Sequence, residues 1–322
     1  MILRRARSFV AQTFFESLSG LAAFHPQANP RKHGVTVEKD VPYATEHGAD
    51  QTLDIYRPAS RKGPWPVVFY VHGGGFHLLS KDTHWLMGLM FARFGYLVVN
   101  ISYRLAPQHP YPAALEDVCL AYRWLADNIE QLGGDRHRVA VAGESAGGNL
   151  VTSLALMLAE RRAEPFAQAV YDTGLHARAV MPFCAILEVS RPARFAERRK
   201  IPRWVDGMMH DIAASYLRGH ELGPGSEAAL ELADPLRVIE SEAANVSGRF
   251  ARRLPSFFAP VGTRDPLLDD TRRLARALDE LGVPVEARYY PGGIHAFHAF
   301  VWDPVARRCW RDALAFLDRH MR

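Results

Sequence analysis

The chain has little cysteine, no long apolar run and no block of one charge, and each shortage excludes something. Its three cysteines, Cys119, Cys184 and Cys309, are odd in number and far apart. That argues against a disulfide framework and fits a reducing, cytoplasmic setting. Cys119 falls on an apolar helical face, where a buried free thiol is the default expectation. No cysteine or histidine cluster has metal-type spacing, and no H-E-x-x-H pattern occurs, so neither a catalytic metal nor a cofactor is expected. Net charge is only +4. The basic stretches "RRAR", "ERRK", "ARR" and "ARRCWR" are scattered among acidic and apolar neighbours, which makes them solvated faces rather than a nucleic-acid surface.

The opening "MILRRARSFVAQTFFESLSGLAAFHP" has early arginines before apolar residues, as a weak secretory signal would. Gln12, Glu16 and Ser17 interrupt it, however, and no run reaches signal or membrane-span length. An amphipathic helix carrying Phe9, Val10, Phe14, Leu18 and Leu21 suits the pattern better. No stable membrane insertion is expected, with surface attachment through this helix kept as an alternative.

What is present is a soluble composition, 48% hydrophobic and 23% charged over 322 residues, with no internal repeat or low-complexity linker. One domain is the economical reading. "VTVEKDVPY" and "QTLDIYRP" read as a hairpin. "PVVFYVH", "YLVVNISY", "RVAVAG", "ARAVMPF", "LPSFFAPVG" and "VPVEARYY" are largely apolar strands of the kind covered on both faces of a parallel sheet. Helical patterns lie between them, such as Leu115, Val118, Cys119, Tyr122, Leu125 and Ile129 at spacings of three and four. The alternation predicts a doubly wound α/β sheet. Residues 1–40 and about 190–235 stand outside that rhythm and are expected to form a cap.

Chemistry concentrates at "RVAVAGESAGGNLVTSLALM". Gly143-Glu144-Ser145-Ala146-Gly147 lies between a buried strand and a helix, the context a G-x-S-x-G nucleophile elbow requires. A turn that tight excludes side chains two residues either side of the serine, and the following helix N-terminus offers unpaired N–H groups to a developing anion. A serine hydroxyl needs a base, and the base an orienting carboxylate. Asp265 in "RDPLLDD" and His295 in "GGIHAF" both follow strands and come in the order Ser, acid, His used by α/β-hydrolases. Asp269 and Asp270 are competitors but read as the N-cap and first turn of a helix. His298 reads as a lining or supporting residue.

"HGGGF" (His72–Phe76), "YRLAPQHPYPAALED" (Tyr103–Asp117), "GESAGGNL" (Gly143–Leu150), "RDPLLDD" and "GGIHAF" together resemble the hormone-sensitive-lipase-like (type IV) serine carboxylesterases, over about residues 50–315. Glu144, Gln108 and Ala296 depart from the usual family residues, and they leave subfamily and substrate preference open. The resemblance implies an α/β-hydrolase fold with a helical cap and a catalytic triad of Ser145, Asp265 and His295. It also implies an oxyanion hole from the N–H groups of Gly74, Gly75 and Ala146, with His72 and Gly73 supporting the loop. The implied activity is hydrolysis of small esters with short to medium acyl groups. An amidase, formamidase or deacetylase on the same triad is the alternative, and a non-catalytic ligand-binding relative the remote one. A homodimer is left open. The cap residues Phe14, Phe15, Trp204, Met208, Met209 and Tyr216 could line an acyl pocket or simply pack the core. His77 could face the pocket or solvent.

Overall fold

The structure, a computed structural model, describes residues 28–321 apart from 60–61, 199–200, 223–224, 226 and 246. The expected helix with Phe9, Val10, Phe14, Leu18 and Leu21, and the cap residues Phe14 and Phe15, lie outside the described residues. Strands β1 (Val35–Pro42), β2 (Thr52–Pro58) and β3 (Trp65–Val71) lead to helix α1 (Trp85–Ala92) and β4 (Leu97–Ile101). Then come α2 (Ala113–Asn128), β5 (Gly134–Glu144), α3 (Ala146–Ala159), α4 (Pro165–Tyr171) and β6 (Ala179–Phe183). After α5 (Arg194–Arg198), α6 (Arg203–Tyr216) and α7 (Pro235–Asn245), the chain closes with β7 (Ser256–Gly262), α8 (Leu268–Glu280), β8 (Val285–Tyr290) and α9 (Pro304–His320).

All eight strands join one sheet in the order β1-β2-β4-β3-β5-β6-β7-β8. The hairpin edge is antiparallel and the strands from β4 to β8 run parallel. Every residue of β4 and β6 is buried, as it must be when helices cover both faces. Alternation along β3 divides the core: Val67, Phe69 and Val71 join the apolar layer under α2, α3 and α8, whereas Val68 and Tyr70 join the layer under α1 and α9. One expectation is corrected. Residues from Val35 to Asp40 belong to the sheet's edge strand, paired with β2, and not to a cap. Their short alternation is that of an edge strand with one face in water. Among the described residues no helix is long and apolar enough to cross a membrane.

The chain passes from β3 outward to β4 and then returns to the other side of β3 for β5. That reversal opens a crevice at the carboxyl ends of the parallel strands, the usual ligand position in such sheets.

Candidate active site

Strands β3 and β5 are in register with Val71 opposite Gly143, so the glycine loop and the G-E-S-A-G turn leave the sheet side by side. Ser145 sits between β5 and α3 with φ 52° and ψ −114°. A non-glycine residue rarely adopts positive φ, and surrounding packing must hold it there. Its N–H donates to Phe183 O at 2.9 Å and its carbonyl accepts from Asn149 N at 3.1 Å. The flanking glycines are sterically required. A Cβ on Gly143 would lie 2.5 Å from Gly147 O, and one on Gly147 would collide with the carbonyl oxygens of Val71 and His72. This close approach presses the elbow against the glycine loop.

The loop's peptide planes are fixed from behind. His72 is fully buried, stacks on Tyr103 at 4.1 Å, and its Nδ1 lies 2.6 Å from Gly73 O. Burial, with His84 nearby, pushes the His72 imidazole down to about 3, so it is neutral and Nδ1–H donates. In a planar trans peptide the N–H points opposite to the C=O, so the Gly74 N–H is turned away from His72. Gly74 O in turn accepts from His77 N at 3.2 Å and Leu78 N at 3.0 Å, which turns the Gly75 N–H outward by the same logic. Gly74 has φ 114°, and a Cβ there would strike Leu78 O. Among the described residues the N–H groups of Gly74, Gly75 and Ala146 donate to no partner. Helix α6 lies over this loop, with Tyr216 stacked on Phe76 at 3.7 Å and Ile212 against Gly75.

Asp265 and His295 meet at the ends of β7 and β8, where His295 Nδ1 lies 2.9 Å from Asp265 Oδ2. The Asp265 carboxyl is buried, and its Oδ1 accepts from Leu267 N at 2.8 Å, so both oxygens are committed. Burial disfavours a charged imidazole, but the Asp265 carboxylate outweighs it and holds His295 above its ordinary value. The competitors are explained. Helix α8 has Leu267 at its N-cap, with Asp269 and Asp270 in its first turn, and Asp265 Oδ1 accepts from the Leu267 N–H just before the helix. Asp270 is buried against Arg194 at 2.6 Å and Leu187 N at 2.8 Å.

Two groups in the site were not assigned from sequence. Cys184, just after β6, links its two halves. Phe183 O holds the Ser145 N–H, while Cys184 Sγ shares a space with a ring nitrogen of His295 and an oxygen of Asp265, all within 4.8 Å of one another. Burial pushes the thiol up, but His295 and His298 outweigh that and lower it. No local motif marks Cys184; only strand neighbourhood brings it there. The second group is Glu144, which read from sequence only as a family departure. Its carboxylate is clasped between His84 Nε2 at 3.0 Å and His298 Nε2 at 2.8 Å, the latter at ion-pair distance without hydrogen-bond alignment. Burial would raise Glu144, yet the two histidines hold it well below the usual carboxylate range. Burial likewise opposes charge on His298, but Cys184 and Glu144 raise it to about 9.

A buried pair of this kind is costly to break on one side. Glu144→Gln should cost about 3–5 kcal/mol in urea unfolding. The sign with pH follows from the two shifts. Raised His298 contributes stability present below 6.5 that fades as pH climbs through about 9, and lowered Glu144 contributes stability present above 4.5 that fades in acid. The gap between wild type and variant should therefore peak between about 4.5 and 6.5, the groups' ordinary values, and narrow in alkali. A gap that does not vary with pH would refute the pairing.

The remaining residues fall as follows. His77 Nδ1 is 2.8 Å from Gly75 O, so its imidazole is bound to the loop rather than free in solvent. His298 is buried behind the elbow. Of the α6 residues, Met209 and Tyr216 pack into the core, while Trp204 and Met208 are exposed.

The arrangement has counterparts. A family model for the alpha/beta hydrolase fold matches residues 68–299. Carboxylesterase NlhH of Mycobacterium tuberculosis is 32% identical over 274 residues, covering 84% of this chain and 78% of that protein. Ethyl acetate hydrolase of Pseudomonas putida is 30% identical over 265 residues, covering 80% of this chain and 74% of that protein. Among solved structures, esterase LipW from Mycobacterium marinum has a TM-score of 0.73 at 27% identity, covering 96% of this chain and 88% of that chain. A bacterial heroin esterase reaches a TM-score of 0.78 over 98% of this chain and 93% of that one, and at 23% identity it speaks to the fold alone.

Proposed function

The chain belongs to the hormone-sensitive-lipase-like (type IV) branch of the alpha/beta hydrolases, a family of carboxylesterases, and we propose that it hydrolyses small carboxylic esters through an acyl-enzyme on Ser145. The observation that carries this reading is the His295–Asp265 pair at 2.9 Å, at the same end of the sheet as a strained serine and a set of unpaired loop N–H groups.

The roles in this reading are those of a serine triad. Ser145 Oγ attacks the ester carbonyl as His295 accepts its proton, and His295 then gives that proton to the leaving alcohol. Asp265 keeps the ring proton on Nδ1, leaving Nε2 bare for the serine, and stabilises the imidazolium formed in transit. Water, deprotonated by the same nitrogen, releases the acid and restores the serine. The tetrahedral oxygen carries charge only during reaction, and N–H groups of Gly74, Gly75 and Ala146 are the donors assigned to it. Each such donor is worth about 3–4 kcal/mol when held near 2.7–3.1 Å. The loop supports this assignment because its carbonyls are already bound from behind, so no turn of the peptides is needed as charge develops.

Short to medium acyl groups are the proposed substrates, and a relative named for ethyl acetate supports the short end. Three buried free cysteines support a reducing compartment. The test is a turnover panel of p-nitrophenyl acetate, butyrate and laurate beside the matching anilides and formamides. The acetate and butyrate esters should turn over fastest. Faster anilide or formamide turnover would move the assignment to an amidase, and silence across the panel would refute it.

A further inference from the structure

We propose that Cys184, Asp265 and His295 form an inhibitory binding site for zinc or a similar borderline divalent ion. The three donors come from the ends of β6, β7 and β8, and their ligating atoms lie within 4.8 Å of one another. A tetrahedral zinc with bond lengths of about 2.0–2.3 Å needs its nitrogen, oxygen and sulfur ligands roughly 3.3–3.6 Å apart. The His295–Asp265 contact of 2.9 Å would widen slightly, and Cys184 Sγ, already within 4.8 Å of both, would close on them by a side-chain adjustment of about an ångström. Thiolate, imidazole and carboxylate together select zinc, cobalt(II) or cadmium over magnesium and calcium, which prefer oxygen alone. Cys184 and Asp265 are fully buried, but the His295 side chain is 37% exposed and gives the ion a way in. Water completes the coordination from that open side.

Binding displaces the Cys184 thiol proton to solvent. Coordination through His295 Nδ1 also moves the ring proton to Nε2, the nitrogen that must be bare to take the serine proton. Coordination through Nε2 occupies that lone pair directly. In either case the base is disabled, so the ion stops turnover without touching Ser145. The inhibition, though not the binding, rests on the ester-hydrolase reading above. Sequence spacing hides the site, because its three ligands belong to three separate strand ends.

The experiment has two arms. Cobalt(II) added to folded Ser145→Ala should give a thiolate-to-cobalt charge-transfer band at one equivalent per chain, and the band should vanish in Ser145→Ala with Cys184→Ser. In the second arm, zinc chloride should inhibit p-nitrophenyl butyrate hydrolysis reversibly, with activity restored by EDTA. Activity is expressed as the ratio with and without zinc, so changes in basal rate divide out. Removing a residue one step from a metal weakens binding about 10–100-fold, and loss of a ligand should reach at least the upper end. The zinc inhibition constant should therefore rise about 100-fold or more in both Cys184→Ala and Cys184→Ser. Absence of the cobalt band, or equal zinc inhibition in the cysteine variants, overturns the site. A cobalt band in a protein that hydrolyses no ester leaves the metal site standing and refutes the esterase reading instead.

Discussion

Ser145→Ala should lower kcat for p-nitrophenyl butyrate about 10⁶-fold, to the level that binding and the anion site alone can support. The substitution removes one oxygen from a residue whose backbone bonds do the structural work. The Ser145 N–H to Phe183 O and the Ser145 O to Asn149 N contacts are both main-chain. Alanine tolerates φ 52° no worse than serine, since both carry a Cβ at the strained position. Circular dichroism and the thermal midpoint should therefore match wild type while turnover disappears. A fluorophosphonate probe should label wild type on Ser145 and leave the variant unlabelled. Residual turnover above about a thousandth of wild type would mean that another group is the nucleophile, given the size of the expected loss.

Asp265→Asn should cost about 10⁴-fold in kcat, with a diagnostic change in pH profile. Asp265 Oδ1 accepts from Leu267 N at the start of helix α8, and Oδ2 faces His295 Nδ1. An asparagine can keep the Leu267 hydrogen bond only by turning its carbonyl oxygen to Leu267, which presents its NH₂ to His295. The histidine must then accept at Nδ1 and carry its proton on Nε2, the tautomer that cannot deprotonate Ser145. The pH effect has a definite sign. In wild type the Asp265 carboxylate holds His295 above 6.5, and the base works only when neutral, so kcat/KM should rise with pH through a limb above that value. In the variant the attraction is gone while burial remains, so the residual activity should show its limb displaced to lower pH. An unmoved limb would show that the titrating base is not held by Asp265.

The legibility of the site varied with the range of the forces that build it. The elbow was readable because its constraint is local: Gly143 and Gly147 are needed where a Cβ would meet backbone carbonyls. Asp265 and His295 were readable because strand ends precede both, and chain order supplied the pairing. By contrast, Asp269 reads from sequence as a helix N-cap, yet the N-cap is Leu267, and Asp265 binds the Leu267 N–H and the histidine with different oxygens. Propensity rules find a capping residue type but cannot see that one carboxylate before the helix has two clients. The hairpin from Val35 was readable from its strand pattern, and only the cap range, extended to residue 40, overlapped it.

By itself, the sequence determined the parallel sheet and singled out Ser145, Asp265 and His295 as the residues proposed for nucleophile, acid and base, because each rests on a pattern of a few neighbouring residues. Only the tertiary structure decided what surrounds them. It set Val71 opposite Gly143, which places the glycine loop against the elbow, and it closed His84 and His298 on Glu144. It also brought Cys184 to the back of the His295–Asp265 pair. Those contacts join residues from separate strands and loops. Strand order and register, which depend on how the whole chain buries its apolar faces, are what bring them within reach.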